Sequence, residues 1–201
     1  VGGIFWNVDM GGGNTGEYIV KLNAGGTLDT SFNPNADGDV NDIAIQSDGK
    51  ILIGGLFQNV GDTARKYIAR LTSTGSLDAA FDPNSNGAVS SIALQSDGKI
   101  VAGGNFTNIG GEDRYRIARL ETGGTADATF NPVMNDEVEK VFIQSDGKIL
   151  VGGWFTSVDS STRNRMARLA NSATSDFNSD GISDILWRNT TTGQNLLWYM
   201  D

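Results

Sequence analysis

The stretch VNDIAIQSDGKILIGGLF, residues 40–57, decides the fold. In VNDIAIQ the period is two: Val40, Asp42, Ala44 and Gln46 fall on one face, and Asn41, Ile43 and Ile45 on the other. That is the pattern of a half-buried strand. Ser47-Asp48-Gly49-Lys50 then predicts a tight hairpin, with Asp-Gly supplying the positive φ angles of a type I′ turn. A second strand follows in KILIGGLF, where Gly54-Gly55 predicts a bulge or a close backbone approach. Downstream, KYIARL (66–71) reads as a third strand after a variable polar loop. SLDAAFDP (76–83) reads as a short fourth, outer strand or a connecting turn closed by Pro83.

The same stretch returns as VSSIALQSDGKIVAGGNF (89–106) and VEKVFIQSDGKILVGGWF (138–155). The Asp of QSDGK stands at 48, 97 and 146, a step of 49 residues. Phe57, Phe106 and Phe155 keep that step, as do Arg70, Arg119 and Arg168, each inside Ala-Arg-Leu. So do Phe32, Phe81 and Phe130, and Pro34, Pro83 and Pro132. Four short antiparallel strands per unit make a β-propeller blade, whereas a helical solenoid would show long runs of period 3.6. The expected fold is therefore all-β, a β-propeller-type array of four-stranded antiparallel blades. It forms either four blades or a fragment of a larger propeller. One propeller-type domain spans 1–201, with a partial blade at 1–36, full blades at 37–85 and 86–134, a partial blade at 135–170, and a closing segment at 171–201. VGGIFWNV (1–8) aligns with IGGLFQNV (53–60), so the chain opens in mid-repeat, and MGGGNTGE (10–17) carries a three-residue insertion before Lys21 takes the place of Arg70.

These motifs, LDTSF, then VNDIAIQSDGKILIGGLF, then YIARL, resemble the delta-sixty repeat of bacterial β-propeller proteins over residues 1–170. The resemblance implies a propeller and a large, secreted bacterial parent, and it implies little about function. After Arg168-Leu169 the character changes. Asp176, Asn178, Asp180 and Asp184 form D-x-N-x-D-G-x-x-D, oxygen ligands at alternate positions of a tight loop, which suits Ca²⁺. The Ile182 carbonyl completes the candidate metal set. The spacing departs from an EF-hand, because Trp187 stands where the bidentate Glu belongs. An Asx-rich turn without metal is the competing reading. The segment 174–201 resembles an FG-GAP or VCBS-type repeat of extracellular proteins, in which such a loop often binds Ca²⁺. ILWRN-TTTGQ-NLLWYM reads as a final hairpin that closes the ring or meets a neighbouring subunit.

Composition limits the chemistry. The chain has no His and no Cys, which removes Ser-His-Asp and Cys-His triads, thiolate redox chemistry and the common structural zinc sites. A net charge of −9 has the wrong sign for gripping a phosphate backbone, so nucleic acid is not an expected partner. No apolar run approaches the ~20 residues of a membrane-spanning helix, and VGGIFWNV has no basic leader region. The acidic surface fits an extracellular or cell-surface location.

The carboxylates invite a two-carboxylate glycosidase reading. Yet Asp48, Asp97 and Asp146 fall in the hairpins, and Asp29, Asp78 and Asp127 recur beside the third-strand Arg. A catalytic group is needed once, whereas a repeated residue serves each unit, so these are expected to be structural. Trp6 and Trp154, at positions that vary between units, are the candidate binding face for a sugar or a partner. The expected function is a non-enzymatic extracellular bacterial propeller module for adhesion, surface structure or filament assembly. Its partners would be other protein subunits, through strand-sharing or as a homopolymer, or surface glycans. A lectin-like glycan-binding propeller is the alternative, and a metal-assisted lyase or glycosidase comes third.

Overall fold

In the computed structural model residues 18–171 are described in full. Beyond them it gives two backbone pairings: Val8–Asp9 with Thr15–Gly16, and Ile185–Arg188 with Asn195–Trp198. The second pairing is the hairpin expected from ILWRN and NLLWYM. Among the described residues there is no helix, and strands repeat unit by unit.

Each unit has one antiparallel sheet of three strands. The first strands are Val40–Ile45, Val89–Leu94 and Val138–Ile143, and the second are Ile51–Gly55, Ile100–Gly104 and Ile149–Gly153. The third are Ile68–Leu71, Ile117–Leu120 and Met166–Leu169. The expected fourth strand shrinks to a single bridge, Leu22 to Leu28, Leu71 to Leu77, and Leu120 to Ala126. Asp78 and Phe130 show why: a carboxylate turn (Ala80 N–H onto Asp78 Oδ1) and the buried phenyl ring end the pairing there. The variable polar loop folds as a two-residue ribbon, for example Asn59–Val60 with Thr63–Ala64.

Two local expectations need correction. The QSDGK hairpin is not type I′. Only the glycines (Gly49, Gly98 and Gly147, φ +81 to +86) are left-handed, and Asp48 is not. Gly49 N–H donates to Gln46 O and Gln46 N–H to Lys50 O, which is a three-residue loop with a glycine bulge. Asp48 Oδ1 accepts from Lys50 N–H and fixes the turn from outside. The strict alternation of VNDIAIQ is also broken. A bulge between Val40 and Asp42 inserts one residue, so Val40 packs with Ile43 rather than with Ala44. Units two and three repeat the bulge at Val89/Ser91 and Val138/Lys140.

The Gly-Gly pair is explained by two different neighbours. A Cβ on Gly54 would lie 2.7 Å from Val89 Cγ1 of the next unit, and one on Gly103 2.6 Å from Val138 Cγ1. On the second glycine it would strike the unit's own backbone: 1.8 Å from Asp39 O at Gly55, 2.1 Å from Ala88 O at Gly104 and 2.1 Å from Glu137 O at Gly153. Close approach, as expected from the sequence, is what these positions need.

The core lies between units, not within them. Ala44, Leu52 and Ile68 join Val89, Ile92 and Ile100 in one cluster, and Val101 and Ile117 join Val138 and Val141 in the next. Phe57, Phe106 and Phe155 are completely buried. Polar links follow the same direction. The bulge frees one first-strand amide, and the preceding unit satisfies it: Ile92 N–H donates to Asp42 Oδ2 (2.8 Å), and Val141 N–H to Ser91 Oγ (3.3 Å). Ser91 Oγ–H itself donates to Asp42 Oδ2. At the outer edge Arg70 Nη1 donates to Thr122 O and Arg119 Nη1 to Asn171 O, again one unit ahead.

Candidate functional site

In units one and two the repeated charges resolve into one structural cluster each. The second-strand Lys and third-strand Arg face the Asp of the bridge: Lys50 and Arg70 meet Asp78 at 3.0 and 2.9 Å, and Lys99 and Arg119 meet Asp127 at 2.6 and 2.8 Å. In unit two the pair is sealed, with Arg119 and Asp127 both nearly inaccessible. Each Arg also stacks on the recurring Phe, 4.5 Å from the Phe81 centroid and 4.8 Å from that of Phe130. Lys21, Asp29 and Phe32 make the lighter version.

The pKa shifts follow from these contacts. Burial opposes ionisation of Asp127, but hydrogen bonds from Lys99, Thr129 and Arg119 outweigh it and hold the carboxyl below the usual carboxylate range. The Lys50 hydrogen bond does the same for Asp78, and Asp127 in turn raises Lys99. Every carboxylate with a resolved shift among the described residues (Asp29, Asp37, Asp78, Asp127 and Asp146) is shifted down. A general acid needs the opposite shift. Nor do three acidic side chains come together anywhere in this region to suit a metal.

Two repeated features escaped the sequence reading. Asp37, Asn86 and Asn135 each place one side-chain oxygen on two successive backbone amides, as Asn86 Oδ1 does on Thr107 and Asn108. Arg65 and Arg114 are buried and donate to loop carbonyls, Arg65 to Ala64 O and Ala79 O, Arg114 to Asp113 O and Asp127 O. Both sets keep the 49-residue step, which was the available signal.

Of the predicted site residues, Trp6, Asp176, Asn178, Asp180, Ile182 and Asp184 lie outside the described residues. Trp154 is described, and it is 52% exposed. Its indole Nε1–H donates to Glu139 Oε1 at 2.8 Å, and the Arg165 guanidinium lies 4.8 Å from its ring centroid. Arg165 reaches the ring from a left-handed backbone, φ 64, as do Tyr18, Tyr67 and Arg116 at the equivalent positions. Each such residue costs about 1–2 kcal/mol. Two backbone bonds hold the conformation, Arg165 N–H to Phe155 O and Gly153 N–H to Arg165 O. In unit two the same geometry lets Arg116 donate to Asn105 Oδ1. Leu56, Asn105 and Trp154 are therefore one row, exposed in all three units even where the next unit is docked. The row forms a rim whose chemistry changes from apolar to polar to aromatic on a constant backbone.

A repeated three-stranded sheet with its core between successive units defines the chain as a β-propeller repeat protein. It belongs to the beta-propeller family described as a domain of unknown function (DUF5122), whose repeats match residues 1–32, 46–81, 95–130 and 144–176. Comparison with curated proteins gave no match. No helix among the described residues is long and apolar enough to cross a membrane.

Proposed function

We propose that this chain is a non-enzymatic, extracellular propeller module of a bacterial surface protein that serves adhesion through its variable rim. The observation that carries the reading is Trp154, a large aromatic ring left half exposed yet braced by Glu139 and Arg165. Bracing removes the entropy that an exposed side chain would otherwise lose on binding. A half-exposed indole with a carboxylate at its Nε1–H edge and a guanidinium over its ring suits a pyranose, which offers C–H groups for stacking and hydroxyls for the charged neighbours. Surface glycans are accordingly the partner that the rim favours. The down-shifted carboxylates support a binding role over hydrolysis, since they are committed to ion pairs and turns. Glycan-array binding by the parent chain, lost in Trp154→Ala and weakened in Arg165→Ala, is the expected result. Binding that survives Trp154→Ala would refute the rim as the contact.

Filament or surface assembly is the second reading, favoured by the exposed apolar side chains Phe142 and Met166 of the third unit. A particle mass that grows with concentration in light scattering would support it.

A further inference from the structure

Units one and two contain five arginines, and four of them are committed. Arg65, Arg70, Arg114 and Arg119 are buried and end on carboxylates or backbone carbonyls. Arg116 is the exception. Its Nη1 donates to the side-chain oxygen of exposed Asn105, while its Nε and Nη2 have no acceptor among the described residues. Arg165, one unit on, is similar: its guanidinium lies over Trp154 and has no carboxylate partner among the described residues.

Both arginines stand in the left-handed row of Tyr18, Tyr67, Arg116 and Arg165, where glycine would relieve the strain. No unit uses it. Tyr18 and Tyr67 pack against the core clusters, which accounts for large side chains at those two positions. Arg116 and Arg165 end instead on the solvent-facing Asn105 and Trp154. Strain kept for an outward-facing side chain marks a contact with something outside the fold.

The two positions are neighbours. Asn105 N–H donates to Ala88 O and Trp154 N–H to Glu137 O, and Ser90 Oγ–H joins these strand starts by donating to Glu137 Oε1. Packed sheets stand about 10 Å apart, so successive rim positions are spaced to meet different sugars of one chain. Their charge differs. In unit three Glu139 at the indole edge balances Arg165, whereas Ser90 takes the place of Glu139 in unit two. Glu137, which Ser90 holds, makes no ion pair with Arg116. Arg116 therefore keeps its positive charge, and its free Nε–Nη2 edge matches two oxygens of a carboxylate or sulfate.

We propose that the rim binds an acidic oligosaccharide across units two and three, with one sugar on the Trp154 indole and a carboxylate or sulfate of the chain in the fork of Arg116. This rests on the adhesive reading of Trp154 and narrows its ligand class.

A glycan array carrying each backbone in neutral, carboxylated and sulfated form, probed with the full chain, tests it. Acidic glycans should bind at least about tenfold more tightly than their neutral counterparts, the gain expected from a charge-assisted hydrogen-bonded pair. Tighter binding of either acidic series supports the proposal, and the difference between the two names the anion. Full-length Arg116→Gln should lose the preference and keep the neutral binding, whereas Trp154→Ala should lose both. Raising the ionic strength to about 1 M should erase the preference in the parent chain, a reading that needs no variant. Equal binding of neutral and acidic forms overturns the proposal and leaves the adhesive reading standing. A preference that survives in folded Arg116→Gln, or in the parent at high salt, overturns the ion pair with Arg116. Failure of every glycan to bind overturns both readings.

Discussion

Gly104→Ala should destabilise the chain far more than its size suggests. The added methyl would stand 2.1 Å from Ala88 O and 3.0 Å from Val89 Cα, both backbone atoms. Carbon and oxygen need more than 3 Å, so the Ala88 carbonyl must retreat by about 1 Å. That carbonyl accepts from Asn105 N–H at 2.9 Å, in the bulge that frees the Ile92 amide for Asp42. Overpacking strain and the damaged hydrogen bond each cost about 1–3 kcal/mol, offset by about 0.4–1 kcal/mol from the stiffer unfolded chain, for a net loss of about 1–5 kcal/mol centred near 3. At about 2–4 °C per kcal/mol for a chain of this length, the central figure lowers Tm by about 6–12 °C. Gly123→Ala is the control: nothing lies within 4 Å of its Cβ and its backbone is not left-handed. It should stay within about 0.5 kcal/mol of the parent. Urea and thermal melts followed by circular dichroism read both variants. If Gly104→Ala melts together with Gly123→Ala, close packing of the second glycine against the bulge is refuted.

Asp127→Asn leaves Arg119 buried without its counter-charge and should cost about 3–5 kcal/mol in urea melts, with a smaller loss for Asp78→Asn, whose Lys50 is more exposed. Because Asp127 and Asp78 have folded-state pKa values below those of the unfolded chain, their stabilisation is full above about pH 5 and is lost as pH falls through the acid range. Parent stability should therefore drop between neutral and acid melts, and Asp127→Asn should lose less over the same interval. Excess Ca²⁺ should raise Tm and a chelator lower it, with the response gone in Asp180→Ala; a melt indifferent to both ends the calcium reading. Asp176 also stands one step beyond Asp78 and Asp127, so Asp176→Asn should destabilise even in chelator, through Arg168. Deleting residues 182–201 should yield an aggregating chain, read by light scattering, and a soluble folded monomer would contradict this.

The repeat was fully legible because its landmarks recur in register, and strand order followed from the Asp-Gly turn and the polarity of each run. What escaped was decided across distance. Period-two reading cannot see a single inserted residue, so the bulge at Val40/Asp42 moved Val40 to the other face. Asp-Gly serves two hairpin types, and only the backbone of Asp48, which is not left-handed, separates them. Trp154 was legible as a variable aromatic position, but its braces were not. Glu139 lies 15 residues away, and Arg165 reaches the ring only because its backbone takes a conformation that no sequence rule assigns to arginine. Asn86 and its equivalents were in phase yet silent, since an Asn in a loop carries no mark of which amides it will cap.

The carboxylate of Asp42 has two oxygens and uses them on two units: Oδ1 takes its own Ile43 amide, while Oδ2 takes Ile92 N–H and the Ser91 hydroxyl. Ser91 has a single oxygen, and it accepts the Val141 amide ahead of it. The array therefore has a grammar with a fixed reading direction. Unit one can begin a sentence, because it punctuates itself, whereas units two and three must follow something. A tandem gene that exchanged units one and two would keep every strand, turn and buried phenylalanine, yet would set an unanswered amide at its head. By this wiring a duplicated unit one or two would find its acceptor, whereas a second unit three would follow Lys140, an ammonium that has none to offer.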